Sequence, residues 1–296
     1  MGFQSGFIAL VGSPNVGKST LLNALVGTKI AIVSKKPQTT RSRITGVLTR
    51  KDYQMIFMDT PGMQAPRNKL GEFMLKTAEQ TARDVDAVLF IADAKAGVRE
   101  RDKETLNRLS KAGVPLVLAL NKIDAVDEER ASEVEETLRP YGERVFRISA
   151  AEKLGLEELV EHLKQYLVEG PMYYPADMVS DQPERVIAAE LIREKALKSL
   201  GKEIPHGIGV EVEKLECEEE RGLTNIDAVI YCEKESHKGI IIGAGGRMLK
   251  KIASAAREDM QMLFGGKVFL QVWVKVKPDW RNKLSVLRAL GYDERQ

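Results

Sequence analysis

Cysteine is scarce in this chain. Cys217 and Cys232 are the only two, and no Cys-x-x-Cys or paired His-x-x-x-His accompanies them, which argues against a zinc site and a disulfide scaffold. Both read as small buried hydrophobes. No uninterrupted apolar run approaches the ~18 residues of a membrane span. The first residues carry no basic segment leading into an apolar stretch, so a cytoplasmic protein is expected. Net charge is also small, +2, and identifies no partner by itself. Its distribution says more: Asp181 to Glu235 holds 14 Asp/Glu against 8 Lys/Arg, whereas His237 to Gln296 holds 12 Lys/Arg against 5 Asp/Glu. That late basic excess suits a polyanion, or a solvated face.

What is present describes an ordinary globular protein of about two domains: 296 residues, 43% hydrophobic and 30% charged. Near the start, Gly12-Ser13-Pro14-Asn15-Val16-Gly17-Lys18-Ser19-Thr20 fits a phosphate-binding loop of a glycine, any four residues, then Gly-Lys-Ser. Backbone N–H groups in such a loop converge on phosphates where a helix begins. Phe7 to Val11 suits a buried strand before it, and Ser19 to Val26 a helix ended by Gly27.

Strands and helices alternate through the first ~170 residues, which predicts a parallel sheet covered by helices on both faces. Residues 44–49 and 53–58 flank Arg50-Lys51-Asp52 as a hairpin, making one edge strand antiparallel. With the apolar runs at 86–92, 115–120 and 144–148, six strands are expected. Chemistry should sit at their C-terminal ends. Asp59-Thr60-Pro61-Gly62 follows one strand: its carboxylate can hold Mg²⁺ through water, and the Gly62 N–H can reach a γ-phosphate. Asn121-Lys122-Ile123-Asp124 follows another. Asp124 can accept both donors on guanine's edge, Asn121 can bond the base and its loop, and the stem of Lys122 can cover the ring. Adenine lacks that donor pair, and a site built to accept it can reject such an analogue by roughly 10⁴ to 10⁵. Ser149-Ala150-Ala151, after the last strand, can give a backbone N–H to the guanine carbonyl.

These motifs, in this order and each after a strand, resemble the translation-factor-related GTPases. Lys36-Pro37-Gln38-Thr39-Thr40-Arg41 is similar in particular to the Era family. The resemblance implies that Lys18 neutralises phosphate charge and that Ser19 and Thr40 ligate Mg²⁺, Thr40 when its loop closes over GTP. Thr40 is chosen over Thr39 because it adjoins Arg41. Many regulatory GTPases place a water-orienting glutamine directly after Asp-x-x-Gly; here that residue is Met63, with Gln64 one position late. Catalytic interest therefore moves to Asn15, which in relatives helps hold K⁺ near the phosphates. Residues 61–75 read as a loop whose order depends on the γ-phosphate.

Residues 171–183 contain three prolines in Pro171, Pro175 and Pro183 and no sustained period, which marks a linker between a GTPase domain at 1–170 and a second domain at 184–296. Pro183 opens a helix to about Leu200. Strands are expected at 209–217 and 225–233, followed by Ile240-Ile241-Ile242, the loop Gly243-Ala244-Gly245-Gly246, a helix at 247–264 and a last strand at 267–277. This order resembles an α+β KH domain of type II, whose Gly-x-x-Gly loop clamps about four nucleotides of single-stranded backbone. Family loops carry a basic or polar residue between the glycines, and this chain has Ala244-Gly245. The clamp would then rest on backbone N–H groups with Arg247, Lys250 and Lys238. Along the last strand Phe269 and Trp273 face away from the valines, and packing against the segment after Trp280 is expected rather than base stacking. Lys275 and Lys277 either meet phosphate or solvate the edge.

The expected protein is a GTPase using GTP/GDP, Mg²⁺ and K⁺. The resemblance implies a monomer that binds the 3′ end of small-subunit ribosomal RNA, serves small-subunit assembly and contacts the inner membrane peripherally. Two alternatives remain: a signalling switch whose second domain binds protein, and a nucleotide-sensing scaffold with negligible turnover.

Overall fold

The computed structural model describes residues 2–34, 41, 43–59, 69–70, 85–201 and 204–292. Of these, 2–31, 41, 43–59 and 85–181 form one compact unit; residues 32–34, 69–70, 182–201 and 204–292 form another.

In the first unit β1 (Gln4–Val11), β2 (Ile44–Thr49), β3 (Tyr53–Asp59), β4 (Ala87–Asp93), β5 (Leu116–Asn121) and β6 (Val145–Ile148) lie in the order β2-β3-β1-β4-β5-β6. Every pair is parallel except the hairpin β2–β3. All seven residues of β3 and all seven of β4 are buried, as strands covered on both faces must be, so they read as apolar runs without alternation. The two faces feed separate cores, one around Leu10, Leu21 and Phe57, the other around Phe90, Leu106 and Leu120. A seventh, two-residue strand, β7 (Val168–Glu169), adds antiparallel to the start of β1. Two residues are too few to leave a period in the sequence, and this is why six strands were expected.

Helix α1 (Lys18–Val26) buries Leu21, Leu22 and Leu25. It approaches β2 so closely that a Cβ on Gly46 would stand 2.4 Å from the Leu22 side chain. Helices α2 (Glu100–Leu109), α3 (Glu128–Leu138) and α4 (Leu156–Leu163) follow β4, β5 and β6. The Asp127 carboxylate caps α3 by accepting the Arg130 N–H at 2.9 Å. Strand order reverses at β1, with β3 on one side and β4 on the other, which opens a crevice beyond their C-terminal ends.

The stretch expected to be a linker is strapped to the first unit as far as Asp181. Gln54 is fully buried on β3. Its Oε1 accepts the N–H groups of Tyr173 and Tyr174 at 2.9 and 3.0 Å, and its Nε2 donates to the Tyr174 carbonyl at 2.8 Å. Farther along, the Val47 N–H donates to the Val179 carbonyl at 2.9 Å and Ser180 Oγ to the Thr45 carbonyl at 2.6 Å, covering the open edge of β2.

The second unit contains α5 (Glu184–Ser199), β8 (Gly209–Glu218), β9 (Leu223–Cys232), α6 (Glu235–Ile242), α7 (Arg247–Phe264), β10 (Lys267–Val276) and α8 (Leu284–Ala289). Its sheet runs β10-β9-β8, parallel between β10 and β9 and antiparallel between β9 and β8. One sheet face and the helices close a core that includes Ile187, Leu191, Ile226, Ile252, Ala256 and Val268. A P-loop nucleotide-binding α/β unit followed by an α+β unit of KH order is the architecture expected.

Candidate functional site

The five parallel strands β1, β3, β4, β5 and β6 end at one rim, and the chemistry gathers there. Between β1 and α1 the loop Gly12-Ser13-Pro14-Asn15-Val16-Gly17 turns back so that Gly17, at φ 105°, opens the helix. A Cβ at Gly17 would stand 2.2 Å from Asn121 Nδ2, so only glycine fits. Lys18 is the first residue of α1, and Ser19 and Thr20 follow it directly in the first turn. The Lys18 ammonium donates to the carbonyls of Gly12 and Ser13 at 2.9 and 3.1 Å. Burial pushes this ammonium below its ordinary pKa, while the carboxylates of Asp59 and Asp102 act to raise it. A cation held over carbonyls at a helix N-terminus is poised to meet an anion.

Ser19 Oγ donates to Asp59 Oδ2 at 2.5 Å, and Asp59 is fully buried at the end of β3. A hydroxyl beside a carboxylate is a donor set suited to Mg²⁺, which takes one or two protein oxygens and completes its shell with water and phosphate. No group of three or more His, Cys, Asp or Glu that could hold a metal occurs among the described residues. Thr40, Thr60, Pro61 and Gly62 lie outside the described residues, as do Met63 and Gln64.

On the other side of the crevice, Asn121 ends β5 and is 2% exposed. Its Nδ2 donates to the Val16 carbonyl at 2.8 Å and its Oδ1 accepts the Ala150 N–H at 3.0 Å. One side chain thus ties the phosphate loop to the turn after β6. Lys122, at φ 67°, donates from Nζ to the Asn15 carbonyl at 2.6 Å and pairs with Asp93. Asp124 stands exposed in the short turn Ile123–Ala125. Buried Ser149 accepts the Glu152 N–H on its Oγ at 3.1 Å, and Ala151 is exposed beside it.

Two residues of this site were missed in the sequence. Asp93 ends β4 in register with Asn121, and its Oδ1 also accepts the N–H groups of Lys95 and Ala96. A carboxylate at the C-terminal end of a strand was signal enough to find it. Asp102, in the first turn of α2, accepts the Ser13 hydroxyl on Oδ1 at 2.5 Å and the Arg99 N–H on Oδ2 at 3.1 Å. Nothing in the sequence ties it to Ser13, 89 positions away.

In the second unit α6 leads through Gly243-Ala244-Gly245-Gly246 into α7. Gly243 has φ 72°, and a Cβ there would stand 2.7 Å from the Met248 Cβ. Ala244 and Gly245 are exposed at the tip, with Arg247 donating from Nε to the Ala244 carbonyl at 3.2 Å. Lys250 is exposed on α7, whereas Lys238 on α6 is half-buried.

The expectation that Phe269 and Trp273 pack is corrected: they are 52% and 44% exposed. Trp280 takes the packing position instead, fully buried, with its indole N–H on the Gly207 carbonyl at 2.9 Å. A Cβ on Gly209 would lie 3.3 Å from the Trp280 ring and 2.8 Å from Leu290, so the C-terminal segment covers the sheet at Gly209. Lys275 pairs with Glu213 at 2.9 Å, and the Lys277 ammonium lies 4.6 Å from the Tyr231 ring centroid.

Residues 7–122 match a family model described as a 50S ribosome-binding GTPase, and residues 203–281 match the KH domain. The chain is 50% identical over 295 residues to the GTPase Era of Alkaliphilus oremlandii, covering 99% of this chain and 100% of that protein. It is 49% identical over 297 residues to the GTPase Era of Caldanaerobacter subterraneus subsp. tengcongensis, covering 99% of each. Two crystal structures superpose with a TM-score of 0.93 at 38% identity, over 98% of this chain and 99% of theirs. One is an Aquifex aeolicus Era variant bound to GDP·AlF4⁻; the other is Era in complex with MgGDPNP and nucleotides 1506–1542 of 16S ribosomal RNA.

Proposed function

From a chain that belongs to the Era family of GTPases, we infer a protein that couples guanine-nucleotide binding in its first unit to RNA binding in its second. It is a GTPase, converting GTP and water to GDP and phosphate. The observation that carries the site assignment is the Asn121 bridge between Val16 and Ala150. It sets the phosphate loop and the base-reading turn in one frame, with Asp124 three positions on to accept guanine's two donors.

Lys18 leaves the carbonyls of Gly12 and Ser13 for the β- and γ-phosphates, joined by the N–H groups of residues 15–20, since Pro14 has none. Asn121 also bonds the base, the stem of Lys122 covers the ring, and Ala151 offers its N–H to the guanine carbonyl, since the Ala150 N–H is held by Asn121. Ser19 would hold Mg²⁺ directly with Thr40, and Asp59 through water. When bound, Mg²⁺ neutralises charge on the transferring phosphoryl group. Gly62 would meet the γ-phosphate. Asn15 would help to hold K⁺ there, supported by its exposed place in the loop, where its own carbonyl is fixed by Lys122. Hydrolysis is then faster in KCl than in NaCl; equal rates would sink the K⁺ assignment.

The RNA is the 3′ end of small-subunit ribosomal RNA, a reading supported by the RNA bound to the Era relative of 38% identity. It lies on backbone N–H groups of Gly243 to Gly246, with Arg247, Lys250 and Lys238 on its phosphates. The process served is small-subunit assembly by a cytoplasmic monomer, part of it in peripheral contact with the inner membrane. No described helix is long and apolar enough to cross a membrane. Filter binding of the 3′-terminal RNA at increasing salt tests the reading. Affinity should fall steeply as lysine and arginine contacts are screened, and a protein with no specific RNA complex would be a protein-binding switch instead.

A further inference from the structure

The face of β10 that points away from the helices has no role in the function just described. Val268 and Val274 turn inward to the core shared with Ile252, Ala256 and Met260 of α7. The alternate positions turn outward: Lys267, Phe269, Gln271, Trp273 and Lys275 are all exposed. The Gly-x-x-Gly loop joins the two helices α6 and α7, so this face lies on the opposite side of the sheet from the helical layer that carries it. Large aromatics do not stay half-exposed on a strand for packing; two of them in one row mark a contact surface.

The chemistry of the row selects the occupant. At ~3.3 Å per residue, Phe269 and Trp273 stand roughly 13 Å apart with Gln271 midway. Rings at alternate places with an amide between them suit an extended chain of flat units. Lysines bracket the rings. Lys275 is held by an exposed ion pair with Glu213, which is weak and can exchange for phosphate. The same lysines discourage pairing of β10, an edge strand, with the edge of another protein. On the far edge of the sheet, β8 carries Glu211, Glu216 and Glu218, while Glu213 reaches across to Lys275. A polyanion is repelled from that side and confined to β10.

We propose that the outer face of β10 is a second RNA-contact surface, on which two bases of a single-stranded segment stack on Phe269 and Trp273, with Gln271 bonding the base between and Lys267 and Lys275 meeting phosphate. Base–aromatic stacking tolerates any base, so this surface adds affinity and holds the path of the strand while sequence choice stays at the clamp. It rests on the RNA-binding reading above.

The chain contains two tryptophans, and Trp280 is fully buried, so Trp273 is the accessible reporter. The 3′-terminal small-subunit RNA, titrated into the full-length protein, quenches tryptophan fluorescence. Trp273→Phe abolishes the quench and keeps affinity, because phenylalanine still stacks. Trp273→Ala and Phe269→Ser each weaken binding roughly tenfold, without changing how steeply affinity falls with salt. Lys267→Ala and Lys275→Ala instead make that dependence shallower by about one counterion each. Thermal unfolding of each variant shows that the fold is kept. RNA that binds with Trp273 unquenched, and with both aromatic variants as tight as the parent, overturns the proposal and leaves the clamp standing. RNA that does not bind at all overturns the RNA-binding reading itself. A dimer in sedimentation equilibrium without RNA, dissolved by Phe269→Ser, would make a second copy the occupant and overturn it likewise.

Discussion

Asn121 Nδ2 and the Val16 carbonyl meet at 2.8 Å across 105 positions of sequence. The same side chain accepts the Ala150 N–H from the other direction. Asn121→Ala leaves a buried carbonyl and a buried N–H without that partner, at roughly 1–3 kcal/mol each. Unfolding in denaturant should therefore shift to lower midpoint, and nucleotide affinity should fall by more than tenfold because loop and turn no longer share a frame. Unchanged affinity would show that the bridge is structural only.

Asp124→Asn exchanges a double acceptor for a group with one acceptor and one donor. Preference should move from GTP towards xanthosine triphosphate by roughly a hundredfold or more, since a site built for one hydrogen-bond pattern rejects the other. Competition of the two nucleotides for the variant measures it, and unaltered selectivity would falsify the base assignment.

Asp102 uses both oxygens, one for Ser13 and one for Arg99. Asparagine offers a single acceptor, so Asp102→Asn should cost about 1–2 kcal/mol of stability. It should also raise KM for GTP more than it lowers kcat, because the loop is loosened before the nucleotide arrives. A stability loss with unchanged KM would separate the cap from the loop.

His162 packs against Phe146 and Tyr166, with ring centroids 4.7 and 5.8 Å away. Burial pushes its pKa below the ordinary 6.5, and the Arg144 charge pushes the same way. The unfolded chain thus takes up the proton more readily than the folded one, so this contribution is intact above about pH 6.5 and is lost as pH falls through the depressed folded value. Unfolding free energy measured from pH 8 to pH 5 should drop more in the parent than in His162→Gln.

The helix-strand alternation of the first unit was legible because buried parallel strands are short apolar runs between amphipathic helices, and β10 because its alternation is strict. The hairpin followed from its turn. Gln54 was not legible. A glutamine in a strand reads as an outward polar residue, and only the fold shows it buried and bound to Tyr173 and Tyr174. Phe269 and Trp273 were read as packed because aromatic strands usually are. Deciding that requires knowing that the C-terminal segment covers the sheet at Gly209 instead.

The order and spacing of Gly-Lys-Ser, Asp-x-x-Gly, Asn-Lys-x-Asp and Ser-Ala determined by themselves the class of ligand, since those groups can be placed only by strands ending at one rim. The sequence also determined the two-part architecture, because hydrophobic period and turn residues are local properties. Tertiary structure alone decided which partners those groups find: Asp102 for Ser13, Asp93 for Lys122, Ala150 for Asn121. It alone decided which aromatics are left in water. Pairing between distant residues depends on how helices and strands stack, and no local pattern records that.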